Sequence, residues 1–316
     1  AELSNRYHGR SKLTATREIF TLIGILISGG IMATGARLEL EESLVLSLLS
    51  WVTGGIGLIT LAVLLWFVPE RSEERKITCS LSASFKLFQK LIKNLPFLRL
   101  IGAWLLNGFA NGLPAVIFLL YMEHGLGASS NEQATLIMIY FSTAVLGIPV
   151  WITSAKHSSK HGTWCAAMII ACLAFMIVPF LSKGDIFAFG VVCVITGFAL
   201  GADLYLPPAM QADVIDLDEL RSGERNAGVY FALTSMATKL ALGLAIGLAF
   251  PALDAAGFEP SSPSSSGIFV LIMIYSIIPI VFKTLAIMLV WKHPISEHKQ
   301  GIIRRRLEKR KVSAKG

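Results

Sequence analysis

The residues of this sequence with chemistry to offer are charged and amide side chains set inside long apolar runs. Lys239 lies within AGVYFALTSMATKLALGLAIGLAF, flanked on both sides by apolar or small residues. An ammonium group so placed has no short route to water and needs an acidic partner or a wet cavity. On a helix from about 227 to 250, positions three and four apart share a face. Gly228, Ala232, Ser235, Lys239 and Gly243 then form a small and polar stripe, with Leu233, Ala237, Leu240, Leu244 and Leu248 opposite. The small stripe admits a helix or a solute to the ammonium, and the leucine side meets lipid or a neighbouring helix. Just upstream, Asp213, Asp216 and Glu219 stand three apart in what reads as a carboxylate-dense loop between two apolar helices. That spacing shares a face, and Arg221 and Arg225 can pair with it, which reads as a gating ion-pair cluster at the cytoplasmic surface. The competing chemistry is a Mg²⁺-diphosphate site, as in an intramembrane prenyltransferase, because carboxylates suit Mg²⁺. One acidic cluster is a weak metal signal, so no metal site is expected.

Further polar residues fall inside other apolar runs. Trp104, Asn107 and Asn111 share one helical face, and amides in a bilayer need partners. Two readings stay open: the face lines a solute path, with the Trp104 ring against a sugar, or it hydrogen-bonds between helices. Tyr140, and Asp203 with Tyr205 beside Pro207 and Pro208, are further cavity candidates, since prolines that break a helix ladder are stable mainly beside protein or water. His157 and His161 sit in a turn with lysines and no carboxylate, which reads as solvated. The four cysteines form no CxxC pair and read as small apolar fillers.

The elements that must position these residues are membrane helices. Of 316 residues 54% are apolar and 16% charged, too oily for a soluble domain. Eight spans are expected, near 19–36, 43–68, 100–121, 134–153, 163–181, 186–208, 227–250 and 267–291. The net charge of +7 sorts by side. Segments 1–18, 69–99, 154–162, 211–226 and 292–316 hold 24 of the 28 Lys and Arg, which puts both ends of the chain in the cytoplasm. The basic tail is expected to rest on anionic lipid and not on nucleic acid. This gives four parts: helices 1–68, a linker 69–99 with a short amphipathic helix over 84–93, a six-helix bundle 100–291 and a tail 292–316. Transporters with internal repeats have halves of equal helix number, so the 2 + 6 layout and the absence of a starting methionine predict four further spans upstream.

The stretch LPPAMQADVIDLDELRSGERNAGVYFALTSMATKL resembles the signature of the glycoside-pentoside-hexuronide:cation symporter family of the major facilitator superfamily, the family of the melibiose permease. The matching residues are Ala212, Asp213 and Asp216, then Gly223 and Arg225, then Lys239. The opening AELSNRYHGRSKLTATREIF resembles the family's loop before helix five, although Asn5 and Arg6 replace its usual acidic residue. The resemblance implies an all-α integral membrane bundle in which eight transmembrane helices correspond to helices 5–12 of twelve. It also implies alternating access, with a sugar-like solute carried together with Na⁺ or H⁺ and no organic cofactor, by a monomer in the inner membrane. The cation-site carboxylates would lie in the absent helices, and Lys239 would border the cation and sugar sites. A membrane fragment that transports nothing is the remaining alternative.

Overall fold

The computed structural model describes residues 7–38, 40–67, 94–223, 226–291, 294 and 297–313, and the described residues are helical with no strand. The helices are α1 (Tyr7–Arg37), α2 (Glu42–Phe67), α3 (Leu95–Leu120), α4 (Ser130–His157), α5 (Lys160–Phe175), α6 (Ile186–Ser222), α7 (Ala227–Ala255), α8 (Ser265–Tyr275), α9 (Ile277–Val290) and α10 (Glu297–Ser313). Seven helical stretches are long and apolar enough to cross a membrane, with α8 and α9 together forming one of them. The expected first span, 19–36, forms the second half of α1, which is not among those seven. Most of the expected linker, including its amphipathic helix, and Arg225 lie outside the described residues.

Local chemistry sets the helix starts. Ser129 and Glu132 make a capping box at α4, in which the Glu132 carboxylate accepts from the Ser129 backbone N–H at 2.8 Å. Ser159 and Ser264 cap α5 and α8 by accepting from Gly162 and Gly267. Gly223 ends α6 in the left-handed conformation at φ 74°. Contrary to the expected loop, α6 therefore runs unbroken through Pro207 and Pro208 and past the membrane span, carrying Asp213, Asp216 and Glu219 on its last turns.

Small residues bring the helices together. Cβ atoms at Gly197 and Gly201 of α6 and Gly147 of α4 would all strike backbone of the facing helix, so these two helices touch main chain to main chain. α3 lies between α7 and α9, α5 packs on α6 and α9, and α1 packs on α4 and α6. α2 rests on α1 and leaves its apolar stretch uncovered by the described residues. On α7 the buried residues are Tyr230, Thr234, Ala237, Ala241, Ala245, Ala249 and Leu253. That stripe packs on α3, where Gly108 and Gly112 face Ala241 and Ala245. Of the two faces read from the sequence, the small stripe and Leu240, Leu244 and Leu248 are both left outward, and the alanine stripe between them is the one that meets the glycines of α3.

Candidate functional site

Four helices converge on a polar cluster inside the bundle. Asp203 enters from α6, Asn107 and Asn111 from adjacent turns of α3, Trp164 from α5 and Lys283 from α9. The Asp203 carboxylate accepts from the Trp164 indole N–H at 2.6 Å and from the Asn111 amide at 2.8 Å. Lys283 is 1% exposed; its Nζ donates to Asn107 Oδ1 at 2.7 Å and lies 3.7 Å from Asp203 Oδ2. The lysine buried in this bundle is thus Lys283. It belongs to a buried stripe of Pro279, Lys283, Ala286 and Val290. At α3 both amides are engaged by residues of other helices, Asn107 by Lys283 and Asn111 by Asp203.

Lys239, by contrast, is exposed on α7, together with Ser235. The expectation of burial counted apolar neighbours along the chain, whereas the helix rotates Lys239 away from its packing stripe. The face around it is apolar, with Met236, Leu240, Leu242, Leu244 and Ile246 all exposed, and no described residue covers it. Trp104 is half-buried and its indole donates to Thr238 Oγ1 at 3.1 Å, which ties α3 to α7 one residue from Lys239. Tyr140 packs its ring against Phe118 and Phe141, and Tyr205 is buried.

At the far end of α6 the carboxylate run meets residues of α5 and α10. Asp213 is buried, and its Oδ2 accepts from Lys160 Nζ at 2.6 Å at the start of α5. Its Oδ1 accepts from Gln300 of α10. Arg221 is exposed, and Asp216 and Glu219 are half-buried with interactions of their own. The tail packs on the bundle: Gln300, Ile303 and Leu307 are buried along one face of α10, and Arg310 donates to the Leu220 carbonyl of α6 at 2.7 Å. Sequence reasoning missed Lys283, Trp164, Lys160 and Gln300 as members of these clusters. Lys283 carried a usable signal, a lone cation in an apolar run; the other three had none, because their partners are distant in sequence.

A multi-helix membrane bundle with charges inside its spans and a charged cluster at the end of one continuous helix fits the class of helical membrane carriers. Residues 1–297 match the family described as MFS/sugar transport protein, and the chain belongs to that family. It is 27% identical over 255 residues to the sodium-dependent lysophosphatidylcholine symporter 1 of Gallus gallus, covering 79% of this chain and 48% of that protein. It is 28% identical over 237 residues to the Homo sapiens protein of the same name, covering 73% and 42%. To the sphingosine-1-phosphate transporter MFSD2B of Xenopus tropicalis it is 25% identical over 251 residues, covering 78% and 48%. The chain spans about half the length of these relatives. The family and these relatives are described as transporters, two of the three relatives as sodium-dependent, which speaks for transport and against the prenyltransferase alternative.

Proposed function

We propose that this chain is part of a Na⁺-coupled symporter that works by alternating access, moving a single-chain lipid with an anionic or zwitterionic head. The observation that carries the reading is the lone exposed cation of Lys239 midway along the apolar outward face of α7. A sugar offers hydroxyls and little apolar surface; an amphiphile offers one anionic oxygen group for the ammonium and an acyl chain for the leucines. The names of the relatives, two lysophosphatidylcholine symporters and a sphingosine-1-phosphate transporter, support the same choice. A mid-membrane ammonium costs at least about 2.5–3.5 kcal/mol unpaired, so it is to be met by a carboxylate of the other half or by the solute. A cation binding at that carboxylate changes what the ammonium offers the solute, which links the two affinities. The sugar-like solute of the motif resemblance stays as a second reading, favoured by the family description.

The test uses the complete protein in proteoliposomes, comparing uptake of lysophosphatidylcholine and of melibiose with and without an inward Na⁺ gradient. Na⁺-stimulated lipid uptake that Lys239→Ala abolishes is expected. Na⁺-stimulated sugar uptake without lipid uptake would move the assignment to the second reading, and uptake indifferent to Na⁺ would remove the coupling.

A further inference from the structure

The Lys283 ammonium lies within ion-pair distance of Asp203 and is hydrogen-bonded to Asn107 inside the bundle. The cluster holds one carboxylate, Asp203, and one amide oxygen, Asn107 Oδ1, turned toward a common point at which Nζ sits. Oxygen donors of this kind are what hard cations select, and one carboxylate balances a single positive charge and no more. The remaining hydrogen bonds fix that carboxylate from behind: Trp164 donates to Oδ1 and Asn111 to Oδ2. Around the pair, Cys172 of α5 and Tyr140 of α4 are near enough to feel its charges, and neither supplies charge of its own at neutral pH. The ammonium is delivered on a stem that is itself buried, so it cannot exchange with solvent as an ion does.

We infer that Lys283 is a tethered counter-cation filling a monovalent-cation position formed by Asp203 and Asn107 within the carboxy-terminal bundle. The bundle is thereby held together with no exchangeable ion. Any Na⁺ dependence of the protein arises outside this cluster, and removing the ammonium uncovers a Na⁺ position at Asp203. A buried carboxylate stripped of its counter-charge must recruit an ion or a proton, and the oxygen of Asn107 favours the ion.

The complete protein is purified as wild type, as Lys283→Met and as Lys283→Met/Asp203→Asn. Unfolding midpoints are followed while NaCl replaces N-methyl-D-glucamine chloride at constant ionic strength, at neutral and at mildly acidic pH. The wild-type response to Na⁺, whatever its size, is the baseline, so this result does not depend on whether the protein couples transport to Na⁺. Lys283→Met is expected to gain a saturable Na⁺-dependent rise in midpoint beyond that baseline at neutral pH, which the double variant loses. A Lys283→Met protein recoverable only at high NaCl is the same result in stronger form. A Na⁺ response equal to wild type, rescue by acid but not by Na⁺, or failure to recover Lys283→Met at any NaCl concentration would each overturn the inference.

Discussion

Replacing Asp203 with Asn keeps the side chain's shape and removes the only carboxylate within ion-pair distance of Lys283 among the described residues. At 3.7 Å and an effective dielectric of about 20, the attraction between the two charges is about 4.5 kcal/mol. Both groups are largely dehydrated, the side chains being 1% and 10% exposed, so the loss is not screened by water. The variant also weakens the hydrogen bonds from Trp164 and Asn111, worth about 1.5–3 kcal/mol each to a charged acceptor. These effects overlap and do not add; an uncompensated buried charge typically costs about 3–5 kcal/mol, which is the expected loss for Asp203→Asn. Adding Lys283→Met removes the orphaned charge, so the double variant should recover about 1–3 kcal/mol relative to the sum of the single changes. Unfolding in detergent micelles, followed by tryptophan fluorescence to which Trp164 itself contributes, measures all three. Single variants within about 0.5 kcal/mol of wild type, or strictly additive losses, would refute the buried pair as an energetic unit.

At the α4 and α6 contact, Gly201→Ala should cost about 1–3 kcal/mol, because its Cβ would lie 2.7 Å from the Ala144 carbonyl oxygen and 3.0 Å from the Ile148 nitrogen. Gly190→Ala on the same helix meets only Leu136 at 3.6 Å and should be neutral or slightly stabilising, so unfolding midpoints that rank the two in the opposite order would contradict the close approach. Lys160→Ala removes the ammonium from buried Asp213, and Arg225→Ala tests the other side of the signature; both should slow transport turnover more than they weaken solute binding, as expected of contacts remade between states. Trp104→Phe deletes the indole donor to Thr238 and should cost about 0.5–1.5 kcal/mol, with solute affinity changing only if the neighbouring Lys239 moves with α7.

Sequence alone determined the solvent and the period. Long apolar runs in water-free surroundings must satisfy their backbone internally, so helices follow from composition without reference to any partner. The sorting of Lys and Arg likewise follows from charge and needs no tertiary contact. The stretch from Ala212 to Lys239 was legible as a motif because it is local; Ala212, Asp213 and Asp216 lie on α6 and Lys239 on α7. Which side of each helix faces inward was not legible. Lys239 and Lys283 look alike in the sequence, each a lone cation amid apolar residues, yet one is exposed and the other is 1% exposed. The difference lies in rotation about the helix axis, which is set by where alanines of α7 meet glycines of α3 and where Pro279 and Ala286 of α9 turn inward. Only the tertiary structure decided the partners: Asn107 meets Lys283 across 176 residues, Trp164 meets Asp203 across 39, and Gln300 meets Asp213 across 87. Residue type states that a buried polar group requires a partner; the packing of four helices around one point decides which partner is there.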